Sequence, residues 1–310
     1  MAAYIKTNRR EFLLTGIKAL AFTSLAGFPS EILASRGVKR LTILHTNDTH
    51  SRIDPFPAND PKFPGMGGVA RRTTIIRQIR QESENVLLLD AGDIFQGTPY
   101  FNLFGGEVEF KAMTAMGYDA ATLGNHDFDN GIEGLIRQLP HAKFPFLNIN
   151  YDLSNTALDA HVEKFRIFER DGIRVGVFGV GIELKGLVDE RLTTNIRYLD
   201  PLALANKTAS HLRNDRKCHL VICLSHLGYR YENSKISDTV LAMNTKNIDL
   251  ILGGHTHTFL DEPVIVKNSE EKNVLIAQTG WGGIRLGRID FLLEEKGKKV
   301  SHVSSAIKIS

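Results

Sequence analysis

LTILHTNDTH, residues 41–50, decides the fold class: an apolar and β-branched run from Leu41 to Thr46 stops at Asn47 and delivers Asp48 and His50 just beyond its end. Working outward, the same arrangement recurs four times. Val86 to Leu89 leads to Gly92-Asp93, and the weaker run Ala120 to Leu123 leads to Gly124-Asn125-His126-Asp127. Leu220 to Leu224 leads to Ser225-His226, and Ile248 to Leu252 leads to Gly253-Gly254-His255-Thr256-His257. Short apolar runs of this kind suit strands buried on both faces. Helical stretches separate them, which makes the chain α/β. In open α/β sheets ligands bind beyond the carboxyl ends of the strands, so the five segments are expected to converge on one rim.

The residue types at that rim ask for more than one metal. Asp48, Asp93, Asn125, His50, His226, His255 and His257 offer two carboxylates, an amide carbonyl and four imidazoles, more than a single tetrahedral ion needs. A mixed nitrogen and oxygen set without thiolate suits Zn, Mn or Fe better than an all-oxygen Mg or Ca cage. A lone His-x-His would be weak evidence; five such segments in one order are strong.

LTILHTNDTHSRIDPF, LLLDAGDIFQGTPYFNLFGG, ATLGNHDFDNG, ICLSHLGY and LILGGHTHTFL together resemble the calcineurin-like metallophosphoesterases, and within them the catalytic domain of the 5′-nucleotidase family. The resemblance runs from about Leu41 to Asp290. It implies a four-layer α/β/β/α sandwich and two divalent metal ions, one held by Asp48, His50 and His257, the other by Asn125, His226 and His255, with Asp93 between them. It also implies that His126, paired with Asp129, stabilises the transition state or protonates the leaving oxygen. Two cations about 3.5–4 Å apart lower the pKa of a shared water and clamp phosphoryl oxygens. A carboxylate partner raises the imidazole pKa toward that of a general acid at neutral pH. Asp127 reads instead as a cap for a helix starting near Gly131.

Composition agrees with one globular enzyme: 310 residues, 42% hydrophobic and 24% charged, with no repeat. The formal charge of +3 includes +2 from residues 1–34, where Lys6, Arg9, Arg10 and Lys18 face Glu11 and Glu31; no nucleic-acid surface is indicated. Asn8-Arg9-Arg10-Glu11-Phe12-Leu13-Leu14 before a modest apolar stretch, Ile17 to Phe28, resembles a twin-arginine export signal and is too weak to span a membrane. Residues 1–34 are therefore expected to be a signal peptide and 35–310 the catalytic domain, delivered to the periplasm or the exterior without a stable membrane anchor. Cys218 and Cys223 are expected to be free, since their odd spacing along one strand sends them to opposite faces.

Helices are expected near Val69 to Gln81, Val108 to Ala115, Ile132 to Leu139, Pro201 to Arg213 and Ser237 to Asn244. The first follows Gly65-Met66-Gly67-Gly68, a turn rather than a phosphate cradle, and sets Ile75, Ile76 and Ile79 against an outer face of Arg71, Arg72, Arg77 and Arg80. Four strands close the chain, Pro263 to Val266, Val274 to Gln278, Leu286 to Leu292 and Val300 to Ile309, with a charged turn at 294–298. The substrate is expected to be a small phosphorylated molecule, a nucleotide by resemblance. Members of that family continue into a second domain whose aromatic residues clamp the base, so here either the base is not recognised or a separate protein equivalent to that C-terminal domain supplies recognition; the candidates within this chain are Phe95, Tyr100, Phe101, Phe104 and Trp281. Two other readings stand beside nucleotide hydrolysis: a thiosulfohydrolase of the same superfamily, and a metal-binding subunit dependent on a partner.

Overall fold

The computed structural model describes residues 38–294 and 299–310; residues 1–34, expected to be a signal peptide, and most of the charged turn at 294–298 lie outside the described residues. The first sheet runs, in spatial order, Lys299–Lys308, Arg285–Glu294, Val38–Thr46, Val86–Asp90, Ala120–Ala121, Phe146–Leu147 and Val162–Glu163. Its strands are parallel from Val38–Thr46 onward, and Arg285–Glu294 joins antiparallel. The second sheet runs Val264–Lys267, Asn273–Ala277, Leu250–Gly253, Leu220–His226, Ile173–Gly181 and Phe165–Arg170, parallel in the middle and antiparallel at both edges.

Strand alternation divides the apolar residues into three cores. Leu41, Ile43, Leu87 and Leu89 of the first sheet meet Val175, Val177, Leu220, Ile222, Leu224 and Leu252 of the second. Leu44 and Leu88 point the other way, to Ile76 and Ile79 of the helix Val69–Glu82 and to Phe110 and Met113 of the helix Glu107–Met116. Val221, Cys223 and Ile251 pack on Ala205 and Ala209 of the helix Pro201–Ser210 and on Leu241 and Ala242 of the helix Asp238–Asn244. Helices thus cover the outer face of each sheet, giving the four-layer α/β/β/α sandwich. Because both faces of the central strands are covered, Val86–Asp90 and Leu220–His226 are buried along their whole length, which is why they read as continuous apolar runs. The helices begin where local chemistry stops the strands: Asp200 accepts from the Leu202 and Ala203 amides, with Pro201 opening the first turn, and Ser237 accepts from the Val240 amide.

Several sequence expectations are revised. Phe165–Arg170 and Ile173–Gly181 form a hairpin at one edge of the second sheet, joined by Asp171 and Gly172, both with positive φ. That Asp-Gly pair suits a two-residue hairpin turn, which the sequence expectations did not include. Arg72, expected on the outer face, is buried with Ile76 and Ile79, because positions 72, 76 and 79 share one helical stripe. Only Ala120–Ala121 of the weak run is strand. Cys218 and Cys223 are free and buried, but both belong to the core under the helix Pro201–Ser210; Cys218 precedes the strand, so alternation does not extend to it.

Candidate metal centre

The strands Val38–Thr46, Val86–Asp90, Ala120–Ala121, Leu220–His226 and Leu250–Gly253 end at one rim, and the loops beyond them are zipped together by backbone. The Asp48 amide donates to Gly92 O at 2.9 Å, the His50 amide to Asp93 O at 3.1 Å, and the Ser51 amide to Ile94 O at 2.8 Å. Asn47 ties in the segment 279–280: its Nδ2 donates to Gly280 O at 2.6 Å, and its Oδ1 accepts from the Thr279 amide at 2.8 Å. The His255 amide donates to both Asp48 oxygens at 3.0 Å.

All seven expected ligands meet there. Donor atoms of Asp48, His50 and His257 form one compact group, and those of Asp93, His226 and His255 form a second, each with its atoms within 4.8 Å of one another. Asp93 Oδ2 lies 3.1 Å from His226 Nε2 and 3.9 Å from His50 Nε2, so it faces both groups. Asn125 Oδ1 joins the second group, 2.9 Å from His255 Nδ1.

The donor chemistry fits a pair of cations. His226 Nδ1 donates to Ala91 O at 2.7 Å, which turns the buried Nε2 toward Asp93 Oδ2, 3.1 Å away, as the nitrogen that would face a cation. His50 repeats the pattern, with Nδ1 3.2 Å from Phe95 O and Nε2 facing His257 Nε2 at 3.0 Å. With Nδ1–H on Phe95 O, His50 Nε2 accepts from His257 Nε2–H, a hydrogen bond that a cation held by both rings would replace. Burial pushes the His226 imidazole down, but the Asp93 and Asp48 carboxylates outweigh it and hold its pKa above the usual value. Burial would raise Asp93; the imidazoles of His226, His50 and His126 outweigh it and hold it low.

His126 stands beside these groups and belongs to neither. Its ring centroid is 5.3 Å from that of His50, and its Nδ1 donates to Asp129 Oδ2 at 2.8 Å, with both side chains only partly buried. That hydrogen bond, opposed by burial, raises the His126 pKa. Asp127 departs from the expectation that it caps the next helix. Asn130 holds the cap position of the helix Gly131–Gln138, while the buried Asp127 carboxylate accepts from the amides of Gly124 at 2.8 Å, Asp93 at 3.1 Å, Ile94 at 2.9 Å and Phe95 at 3.3 Å. It clamps two ligand loops together, a role that no spacing in the sequence announces.

A calcineurin-like phosphoesterase profile matches residues 41–259, which include every one of these side chains. The chain belongs to the calcineurin-like phosphoesterase family. Within that family it is similar to a snake venom 5′-nucleotidase from Gloydius brevicauda, 32% identical over 300 residues, covering 90% of this chain and 50% of the relative. It is also similar to the crystal structure of a 5′-nucleotidase precursor from Thermus thermophilus, with TM-score 0.79 and 31% identity, covering 87% of this chain and 54% of that one. The sulfate thiohydrolase SoxB of Thermus thermophilus superposes with TM-score 0.72 at 20% identity, over 86% of this phosphoesterase chain and 56% of that one, a likeness of fold. This phosphoesterase thus spans about half the length of the relatives it matches.

The aromatic candidates separate by burial. Phe95 and Phe101 are core, Phe104 is 48% exposed with Tyr100 stacked beside it, and Trp281 lies parallel to the His257 ring at 5.8 Å with its edge on Phe56. Among the described residues no helix is long and apolar enough to cross a membrane.

Proposed function

We propose that this phosphoesterase hydrolyses phosphate monoesters, nucleotides first among them, by attack of water on phosphorus at a centre of two divalent metals. The observation that carries the reading is the His126–Asp129 pair, 2.8 Å apart and partly solvent-accessible, beside two ligand groups that do not need it. A purely structural metal site has no use for such a pair. Asp48, His50 and His257 would hold one cation, and Asn125, His226 and His255 the other, with Asp93 facing both. When bound, the cations supply Lewis acidity toward the phosphoryl oxygens and a water of lowered pKa.

The chain's own side chains do the rest. His226 and His50, each fixed through Nδ1 by a backbone carbonyl, present Nε2 in one tautomer. His126, charged and oriented by Asp129, gives its Nε2 proton to the departing ester oxygen or stabilises charge there. The relatives' 5′-nucleotidase names support a nucleotide substrate. The twin-arginine leader, outside the described residues, supports export; replacing Arg9 and Arg10 with Lys should leave folded precursor in the cytoplasm.

Phosphate release from AMP, measured with Mn²⁺, with Zn²⁺ and after chelation, tests the reading. Metal-dependent release is expected. No release from AMP, glycerol phosphate or p-nitrophenyl phosphate under any metal would overturn it, and cleavage of a cysteine S-thiosulfonate adduct in their place would assign the thiosulfohydrolase alternative.

A further inference from the structure

Gln278 follows the strand Asn273–Ala277, which lies parallel to Leu250–Gly253, the strand that delivers the segment Gly254 to Thr258 to the rim. It is 1% exposed. Its Nε2 donates to Gly254 O at 2.9 Å, and its Oε1 accepts from the Thr258 backbone amide. One side chain thus closes the two ends of a segment that supplies His257 to one ligand group and His255 to the other.

The partners fix which way the side-chain amide points. A carbonyl only accepts and a backbone N–H only donates, so the NH₂ must face Gly254 and the oxygen Thr258. Thr256 Oγ1, which accepts from the Tyr229 amide at 2.9 Å, lies 3.3 Å from the same Oε1. The backbone around Gln278 is held too: its carbonyl accepts from the Leu260 amide at 3.2 Å, and the Gly280 amide donates to Thr258 O at 3.0 Å. Between the two bonded ends the chain turns left-handed twice, at His255 with φ 71° and at His257 with φ 52°. Residues with side chains persist in that region only where their surroundings over-determine it. Gly253 makes room for the constraint, since a Cβ there would lie 3.0 Å from Gln278 Nε2 and 2.0 Å from Asp238 Oδ2.

We infer that Gln278 is a positioning residue for both candidate cation sites at once, holding His255 and His257 in the backbone conformation that aims their rings at separate ligand groups. The inference rests on the two-cation reading above and not on the reaction, so its test reads cation binding. Co²⁺ is titrated into metal-free wild type, Gln278→Glu, Gln278→Met and Asn268→Ala, followed by calorimetry and visible absorption, with urea unfolding of each metal-free protein alongside. Glu keeps the shape of Gln but sets an oxygen against Gly254 O; Met keeps the length without donor or acceptor. Asn268 is the control, a buried amide in the turn before the same strand, where its Oδ1 accepts from the Glu270 and Lys272 amides at 2.8 and 3.0 Å.

Both Co²⁺ affinities are expected to fall by about tenfold or more in each Gln278 variant, the usual effect of removing a group that orients metal ligands. The visible spectrum of the Co²⁺ that stays bound should change with them. Asn268→Ala should unfold at lower urea yet keep the wild-type affinities and spectrum, which separates positioning from a purely structural role. Unchanged Co²⁺ binding in whichever Gln278 variant folds, weakening at one site alone, or a loss no greater than in Asn268→Ala would overturn the inference and leave the two-cation reading standing. Wild-type protein that binds no Co²⁺ would overturn both.

Discussion

Replacing Asp127 with Asn tests whether one buried carboxylate holds the two ligand loops in register. Its Oδ2 accepts from the Gly124 and Asp93 amides at 2.8 and 3.1 Å, and its Oδ1 from the Ile94 and Phe95 amides at 2.9 and 3.3 Å. An amide in its place keeps one oxygen and turns an NH₂ toward two N–H donors. The oxygen should stay with Gly124 and Asp93, the tighter pair, leaving Ile94 and Phe95 facing a donor. Burial and the Asp93 carboxylate raise the Asp127 pKa to about 7, so above that pH each hydrogen bond to its charged form contributes about 1.5–3 kcal/mol. The Phe95 contact is long, so the loss should fall near the lower end of a roughly 3–6 kcal/mol range. That is a large share of the ~5–15 kcal/mol by which a domain is folded.

Urea unfolding of the variant, with metal content measured on the same sample, is the assay. The variant should unfold at distinctly lower urea and bind both metals more weakly, because the displaced Ile94 segment is bonded to Ser51 of the first ligand loop. Asp129→Asn is the control: it is partly exposed and among the described residues its side chain bonds only to His126, so it should cost ~1 kcal/mol or less. Wild-type stability with full metal content in Asp127→Asn would refute the clamp.

Asp93→Asn should deplete both metals and His257→Ala chiefly one, because Asp93 faces both groups and His257 only one; elemental analysis decides, and full stoichiometry in Asp93→Asn would contradict the bridging position. His126→Asn should keep near-normal metal yet lose about 10²–10⁴-fold in kcat on AMP, and less on p-nitrophenyl phosphate, whose leaving group hardly needs a proton; equal losses would remove the general-acid role. Burial lifts Asp238 to about 8, so the folded protein keeps a proton there that the unfolded chain releases above the ordinary value of 3.8. Wild-type stability therefore falls as pH rises from about 4 to 8, and non-titrating Asp238→Asn should gain in Tm relative to wild type across that window; a constant difference would show that Asp238 titrates normally.

The seven candidate ligands were legible because they cluster at or just beyond the carboxyl ends of strands that announce themselves by buried apolar runs. His126 and Asp129 were legible only through resemblance, since their roles depend on an angle between a loop and two groups supplied by distant segments. What was missed has a common cause. Asp127, Asn47 and Arg72 act through backbone atoms or neighbours far off in the chain, and composition at their own positions gives the ordinary reading: cap, loop, outer helix face. The hairpin Phe165–Arg170 to Ile173–Gly181 was missed for a different reason, its polar edge strand carrying too weak an alternation beside the Asp171-Gly172 turn.

The glycines that stand next to the ligands have a steric origin that joins sequence to site. Asp48, His50, Asp93, His255 and His257 all take positive φ, between 47° and 71°, a conformation that costs a side-chain-bearing residue about 1–3 kcal/mol. Glycine would relieve that cost, but these positions must carry donor atoms, so the room is made beside them. A Cβ on Gly124 would lie 2.2 Å from Asp93 Oδ1, and one on Gly254 would lie 2.8 Å from His226 Nδ1 and 2.9 Å from Ala91 O. The small residue lets the neighbouring loop come close enough for its donors to converge, while the strained residue aims them. The strain is held by the inter-loop hydrogen bonds from Asp48 to Gly92, from His50 to Asp93 and from His255 to Asp48, which exist only in the assembled rim. The alternation of glycine and candidate ligand in Gly92-Asp93, Gly124-Asn125 and Gly254-His255 is therefore the sequence trace of a rim whose loops must pack closely enough for their donor atoms to converge.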